Sequence, residues 1–294
     1  MDALPVHPYR PLWRAHRCHR AVPAGRHYAV PAEPRVDPEI EATVSGDRPA
    51  TARAAIGSTP AGAILEVAGL TRRFGGVIAV NDVSFGIVAG TVTGLIGPNG
   101  SGKSTLFRLI SAEMPAHSGE VRLRGQPITR RSASEVNRLG LGRTFQLSRL
   151  YPAMTATENL VAVTRGEAKH ALERAAASLD FVGLTAVADE FAANLSYGQQ
   201  KLLEFARVLV NDPDVILLDE PFAGVNPVME ERMVAHIHAL RDRGKTFLIT
   251  DHEIRLIMAL CSRLIVLDHG ELLADGDPAT VRVDARVIDA YFGT

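Results

Sequence analysis

Gly97-Pro98-Asn99-Gly100-Ser101-Gly102-Lys103-Ser104, followed by Thr105, carry the strongest chemical signal in this chain. They fit G-x-x-x-x-G-K-S, a loop that wraps the phosphates of a nucleotide. Glycines let backbone N–H groups turn inward around phosphate oxygens. A helix opening at the end of the loop adds a favourable dipole. Lys103 places a point charge on the β- and γ-phosphates, and Ser104 offers an oxygen to Mg²⁺. The motif needs a strand before it and a helix after it. Thr91–Ile96 reads as the strand and Lys103–Ala112 as the helix.

A second group is acidic. Val215-Ile216-Leu217-Leu218 is a solid apolar run, typical of a buried parallel strand, and it ends in Asp219-Glu220. Two carboxylates at a sheet edge could hold Mg²⁺, directly or through water, from Asp219, and polarise an attacking water from Glu220. Many buried strands end in acidic loops, so the pair gains its meaning from the phosphate loop that precedes it. Ser196, followed by Gly198, can cap a helix running to about Asn211. A serine, a glycine and a helix N-terminus make a second anion site, or simply a capped helix. His252 follows the predicted strand Thr246–Thr250, where its type alone leaves a structural role open.

These residues need elements to hold them. Strands are expected at Ile64–Val67, at Val77–Val88 with a turn at Asn81-Asp82, at Gly140–Gln146, at Leu264–Leu267 and at Glu271–Ala274. The middle reads as helical. Thr155-x-x-Glu158 has capping-box form, Lys169–Val182 is rich in alanine and leucine, and Ser196 opens a third helix. Asn226-Pro227 is a cap-plus-proline start for a helix to about Arg241. Further helices are expected at Glu253–Leu260 and near Asp284–Tyr291. Strands alternating with helices predict an α/β P-loop core, residues 63–294, with a helical subdomain inserted at about 150–212.

The first sixty residues differ. They hold nine of the seventeen prolines, and residues 1–36 carry six arginines against Asp2 and Glu33. No strand or helix period survives that spacing, so residues 1–62 read as a disordered extension. His7, His16, His19 and His27 have no spacing that points to a metal site.

Bulk composition excludes several classes. Lys and Arg total 32 against 33 Asp and Glu, which gives no electrostatic argument for a nucleic-acid partner. Cys18 and Cys261 are the only cysteines, a usage that suits a reducing cytosol rather than a disulfide scaffold. No run approaches eighteen uncharged apolar residues, and the arginine-rich start lacks the apolar stretch of a secretory signal. A GTPase should carry Asn-Lys-x-Asp, and the chain has none.

Taken together, the motifs resemble those of the ABC transporter ATPases. Leu195-Ser196-Tyr197-Gly198-Gln199-Gln200 is similar to their signature motif, which closes over a γ-phosphate held by the opposite subunit. The resemblance implies that Gln146 is the Q-loop glutamine, near Mg²⁺ or the water, and that His252 is the switch histidine near the γ-phosphate. It makes Ala223–Pro227 the D-loop, which crosses the dimer interface. Phe74, 23 residues before Gly97, falls where the family stacks an aromatic on adenine, with core packing as the alternative. Asp251 and Glu253 are read as charged surface or supporting residues.

A narrower likeness is to the ATP-binding subunits of branched-chain amino acid importers. It rests on Arg73-Phe74-Gly75-Gly76, Leu141-Gly142-Arg143-Thr144-Phe145-Gln146, Ala223-Gly224-Val225-Asn226-Pro227 and the ending Ile288-Asp289-Ala290-Tyr291-Phe292-Gly293. The chain departs from that subgroup in Ser101-Gly102-Lys103-Ser104-Thr105, in Lys201-Leu202-Leu203, and in the 49 residues between Gln146 and Ser196. The likeness implies ATP and Mg²⁺ as ligands, separate transmembrane permeases, a second ABC ATPase completing a dimer, and a periplasmic solute-binding protein. It places the chain at the cytoplasmic face of the inner membrane. Leu147, Leu150 and Tyr151, after Gln146, are candidates for the permease groove or for ordinary packing. The alternatives are transport of urea, a sugar or a lipid, and a soluble ABC ATPase outside transport.

Overall fold

The computed structural model describes residues 62–144 and 150–292, which lie in one compact unit. The extension expected over 1–62 lies, apart from Gly62, outside the described residues, as does Gln146. Two long strands open the fold, β1 (Ala63–Phe74) and β2 (Val77–Val88), paired antiparallel. Next come β3 (Val92–Ile96), α1 (Lys103–Ile110), β4 (Ser118–Leu123), β5 (Gln126–Pro127), α2 (Ala133–Arg138) and β6 (Leu141–Arg143). The helical middle holds α3 (Ala156–Val161), α4 (Ala168–Val182) and α5 (Tyr197–Leu209). The chain then runs through β7 (Val215–Asp219), α6 (Pro227–Asp242), β8 (Thr246–Thr250), α7 (Ile254–Leu260), β9 (Arg263–Asp268), β10 (Glu271–Gly276), α8 (Pro278–Arg282) and α9 (Ala285–Phe292).

Two sheets result. One is four-stranded in the order β2-β1-β4-β5, the other six-stranded in the order β10-β9-β3-β8-β7-β6. The larger sheet is parallel from β9 to β6, with β10 antiparallel at one edge. Its central strands β3, β7 and β8 are buried at every position. Side chains alternate across a strand, so each central strand feeds two cores. Leu95, Leu217, Leu248 and Ile265 face a core shared with α1 and the smaller sheet. Ile96, Leu218, Ile249 and Val266 face a core shared with α5, α6, α7 and the helical middle. That double burial explains why these strands read as unbroken apolar runs.

Several elements differ from expectation, for local reasons. β1 runs on to Phe74 because its register shifts, between Val67 and Leu70 and again before Arg72, let it keep pairing through residues with no apolar period. β2 stays one strand through Asn81-Asp82, with Asp82 at φ 50. The strand expected over Gly140–Gln146 is observed as Leu141–Arg143. β4 and α2 were not expected at all. β4 is short, and its partner β1 lies some fifty residues away in sequence, beyond the reach of a local pattern.

The helical subdomain is built as its caps dictate. Thr155 accepts the Glu158 N–H while Glu158 reaches back to the Thr155 N–H, closing the box that starts α3. α4 ends on Gly183 at φ 73, a left-handed cap. Arg174 donates to the Val210 carbonyl and so ties α4 to the C-terminal end of α5.

Candidate active site

The phosphate loop joins β3 to α1, as the motif requires. Gly97, Gly100 and Gly102 have φ of 152, 82 and 101, and Gly102 is the N-cap of α1. Two of these glycines are also fixed by space. A Cβ on Gly97 would lie 2.1 Å from the Leu267 carbonyl oxygen, and one on Gly102 would lie 2.3 Å from that of Ala79. Backbone bonds brace the loop from outside: Gly270 N–H donates to Ser101 O at 3.0 Å, and Asn81 N–H donates to Gly270 O at 2.8 Å. The turn between β9 and β10 therefore pins the loop against β2. Pro98 is half-buried while Asn99 and Gly100 are exposed at the rim. Ser101 is buried, and its hydroxyl has no hydrogen-bond partner among the described residues. Ser104 and Thr105 are half-buried in the first turn of α1.

Lys103 Nζ donates to Gly97 O at 2.7 Å and to Pro98 O at 2.9 Å, so its ammonium lies inside the loop. Burial lowers the Lys103 pKa, and the charges of Glu220 and Asp219 oppose that shift. The loop lysine and both strand-end acids thus share one field.

Those acids sit at the C-terminal edge of the parallel sheet, where ligand crevices of open α/β sheets lie. Asp219 ends β7, directly across from Thr250 at the end of β8. Glu220 follows at φ 52, a left-handed backbone that turns its side chain away from the strand direction. Its N–H donates to Thr250 O at 2.8 Å. Because β7 and β8 run in parallel register, the residue two past Thr250 comes beside Glu220: His252 Nε2 lies 2.7 Å from Glu220 Oε1. The structure therefore brings Lys103, Asp219, Glu220 and His252 to one edge.

Asp219 is 2% exposed. Arg143 Nη2 donates to its Oδ2 at 3.0 Å, and the Asp219 N–H donates to Thr144 Oγ1 at 2.9 Å. Its other oxygen, Oδ1, is buried with no hydrogen-bond partner among the described residues. Burial raises the Asp219 pKa, Arg143 pulls it down, and Glu220 adds to the rise. A buried carboxylate oxygen lacking a donor, beside a lysine-bearing phosphate loop, is the environment a hard divalent cation would complete.

The other expected residues lie elsewhere. Ser196 caps α5, its Oγ accepting the Gln199 N–H, and Gln199 reaches back to the Ser196 N–H. Gly198 leaves room for Met229 of α6, whose Cε would stand 2.9 Å from a Cβ there. Among the described residues no hydrogen bond or ion pair joins Ser196 or Gly198 to the phosphate loop. Phe74 is 43% exposed at the end of β1, which rules out core packing, and the Arg72 guanidinium lies 4.9 Å from its ring centre. Leu150 packs against the helical core, whereas Tyr151 is exposed with Arg207 over its ring at 5.2 Å.

Sequence reasoning passes over three residues here. Arg143 and Thr144 stand in a quoted motif but receive no role of their own. Asp251, expected as a charged surface or supporting residue, is buried at 4% exposure and accepts the N–H groups of Phe222 at 2.9 Å and Glu253 at 3.1 Å. It thereby ties the segment after Glu220 to the one carrying His252. Its position directly after a short strand with the apolar centre Phe247-Leu248-Ile249, parallel to the strand that ends in Asp219, is the signal that could have found it.

Comparison with known proteins identifies the family. Residues 80–223 match the family described as ABC transporter, and residues 271–294 match that described as branched-chain amino acid ATP-binding cassette transporter. The high-affinity branched-chain amino acid transport ATP-binding protein BraF of Pseudomonas aeruginosa is 38% identical over 249 residues, covering 78% of this chain and 98% of that protein. LivG of Escherichia coli K12, of the same description, is 36% identical over the same shares. An ATP-binding cassette of an ABC transporter, crystallised in its ADP conformation, superposes with a TM-score of 0.73 at 32% identity, covering 79% of this chain and 99% of that one. The chain belongs to the ABC transporter family as an ATP-hydrolysing subunit, closely related to the ATP-binding proteins of branched-chain amino acid transport.

Proposed function

We propose that this subunit binds MgATP in the loop Gly97–Thr105, hydrolyses it with Glu220 as general base, and so powers import of branched-chain or closely related amino acids through separate permeases. The observation that carries the chemistry is the cluster of Lys103, Asp219, Glu220 and His252 at one sheet edge, with His252 Nε2 2.7 Å from Glu220 Oε1. The phosphate loop offers its N–H groups and Lys103 to the β- and γ-phosphates, and Lys103 exchanges its bonds to Gly97 O and Pro98 O for phosphate oxygens. Ser104 and Asp219, with Gln146, would hold Mg²⁺, which supplies positive charge to the phosphate oxygens. Glu220 accepts a proton from water as the water oxygen bonds the γ-phosphorus. The bond from that phosphorus to the β-phosphate oxygen breaks, leaving ADP and inorganic phosphate. His252 orients Glu220 and reaches toward the γ-phosphate. Phe74, exposed and backed by Arg72, stacks on adenine.

Ser196 and Gly198 act on the nucleotide of a second ABC ATPase subunit, which accounts for their lack of contact with the loop of their own chain. A dimeric ATP-binding cassette in a post-hydrolysis state with ADP and phosphate, 26% identical with a TM-score of 0.66, supports a two-subunit arrangement. Among the described residues no helix is long and apolar enough to cross a membrane. On this reading the subunit grips separate permeases at the cytoplasmic face of the membrane, and those permeases take solute from a periplasmic binding protein. The names of BraF and LivG and the match over residues 271–294 support the cargo.

The test is uptake of labelled leucine, isoleucine and valine by cells with the gene, without it, and with Glu220→Gln. Loss of uptake in the last two is expected, with purified Glu220→Gln binding ATP but turning over at less than about a tenth of the wild-type rate. A variant that hydrolyses faster than that removes Glu220 as the base. Unchanged branched-chain uptake beside lost uptake of urea or a sugar overturns the cargo and leaves the motor intact.

A further inference from the structure

Arg143 is 6% exposed in its side chain, an unusual depth for a guanidinium, and it stands at the end of β6 between three parts of the site. Its Nη2 holds Asp219 Oδ2 at 3.0 Å. Its Nη1 lies 3.2 Å from Glu113 Oε1 and donates to Ser111 Oγ at 3.1 Å, both just beyond the C-terminal end of the phosphate-loop helix α1. Its carbon centre sits 5.7 Å from the ring centre of Phe107 on that same helix. The next residue, Thr144, accepts the Asp219 N–H through its hydroxyl. Asp219 is thus gripped at one carboxylate oxygen by the last residue of β6 and at its backbone by the residue just past it, while its second oxygen, Oδ1, stays buried with no hydrogen-bond partner among the described residues.

We propose that Arg143 is a positioning residue for the metal. It ties up Oδ2 and leaves Oδ1 as the oxygen presented to Mg²⁺. A planar guanidinium suits that task because it binds carboxylates at fixed angles and cannot lose its proton. Partners of metal-binding carboxylates orient the ligand, and removing them typically costs ten- to a hundredfold in metal affinity. The second grip on Glu113 and Ser111 fixes Arg143 itself, and it also fastens α1, which carries Lys103 and Ser104, to the strand that carries Asp219. The inference rests on Asp219 being the metal's carboxylate.

The test measures binding rather than turnover. For the full chain, affinity for ATP is measured in EDTA and in Mg²⁺, and Mn²⁺ bound with ATP is counted by electron paramagnetic resonance. Arg143→Met should leave the metal-free ATP affinity within about twofold of wild type, and should weaken Mn²⁺ and Mg²⁺ binding about ten- to a hundredfold. Arg143→Lys, which keeps the charge but not the fork, should fall between. Glu113→Gln serves if Arg143→Met does not fold, and should weaken the metal a few-fold with metal-free ATP affinity unchanged. Equal loss of ATP affinity with and without metal in these variants, or no loss in either, overturns the proposal. Asp219→Asn is the control. If it leaves Mn²⁺ binding intact, the metal role of Asp219 falls and this proposal falls with it; if it abolishes Mn²⁺ binding while the Arg143 and Glu113 variants do not, only this proposal falls.

Discussion

At the scale of single residues, the site is decided as much by what cannot be added as by what is present. Gly102 illustrates this. Its φ of 101 disfavours any side chain, and a Cβ would press on the Ala79 carbonyl oxygen at 2.3 Å, a backbone atom that cannot swing away. Gly102→Ala should therefore destabilise the fold by about 3 kcal/mol through strain and a displaced loop, and nucleotide binding should weaken with it. Thermal melts with and without ATP check this. A variant that melts and binds like wild type would show that the loop is free to shift away from β2. The glycine pattern was legible in the sequence because a phosphate loop announces itself by spacing. Lys103, Asp219, Glu220 and His252 were legible by order along the chain, since parallel strands deliver their C-terminal ends to a common edge. Arg143, Thr144 and Asp251 were not given their places. Their roles depend on which strand lies beside which, and β6 next to β7 is a fact of topology that no local window contains.

At the scale of elements, helix starts were the most readable feature. The boxes at Thr155 and Ser196 and the Asn226-Pro227 start all appear where the side-chain chemistry puts them, with Asn226 Oδ1 accepting the Met229 N–H at 3.0 Å. The same signature, Ser132-x-x-Glu135, starts α2 and closes both reciprocal bonds, yet went unread because only Val136 follows it into the core. A cap without an apolar stripe gives half a signal. Strands covered on both faces, β3, β7 and β8, read correctly, whereas β1, bulged and half-covered, was legible only over Ile64–Val67 and the half-covered β4 was not legible at all. The caps carry energy as well as information. Thr155→Ala removes the side-chain acceptor for the Glu158 N–H and should cost about 1 kcal/mol, lowering Tm by about 2–4 °C in a domain of this size. Because α3 lies away from the phosphate loop, basal ATP hydrolysis should hold. Differential scanning calorimetry and an ATPase assay check both; an unchanged Tm would show that the Thr155 pairing with Phe191 anchors the helix start without the cap.

At the scale of the whole molecule, the two ends of the described chain are tied in differently, and truncation should reveal it. β1 begins at Ala63 and lies inside its sheet, with β2 on one side and β4 on the other. Both of its edges are already paired, so a preceding segment finds no strand position beside it. Among the described residues, the buried core positions begin at Leu65, with Ile64 packed against them. The relatives point the same way: BraF is matched over 98% of its length by 78% of this chain. The first sixty residues, with nine of the seventeen prolines, have little with which to build a core. A chain beginning at Ala61 should therefore melt at the same temperature and hydrolyse ATP at the same rate as the full chain. The other end is different. Val287 of α9 is 6% exposed within the helical core, and Tyr291 packs against the same core with its hydroxyl pKa pushed up to about 12 by burial. Ending the chain at Asp284 strips both, uncovering apolar surface whose loss at about 25 cal/mol per Å² amounts to several kcal/mol for two such side chains. That shortened chain should melt well below the full one. Equal melting of the C-terminally shortened chain would show that α9 adds nothing to the core. A lower Tm or slower hydrolysis on starting at Ala61 would show that the first sixty residues contribute to the fold.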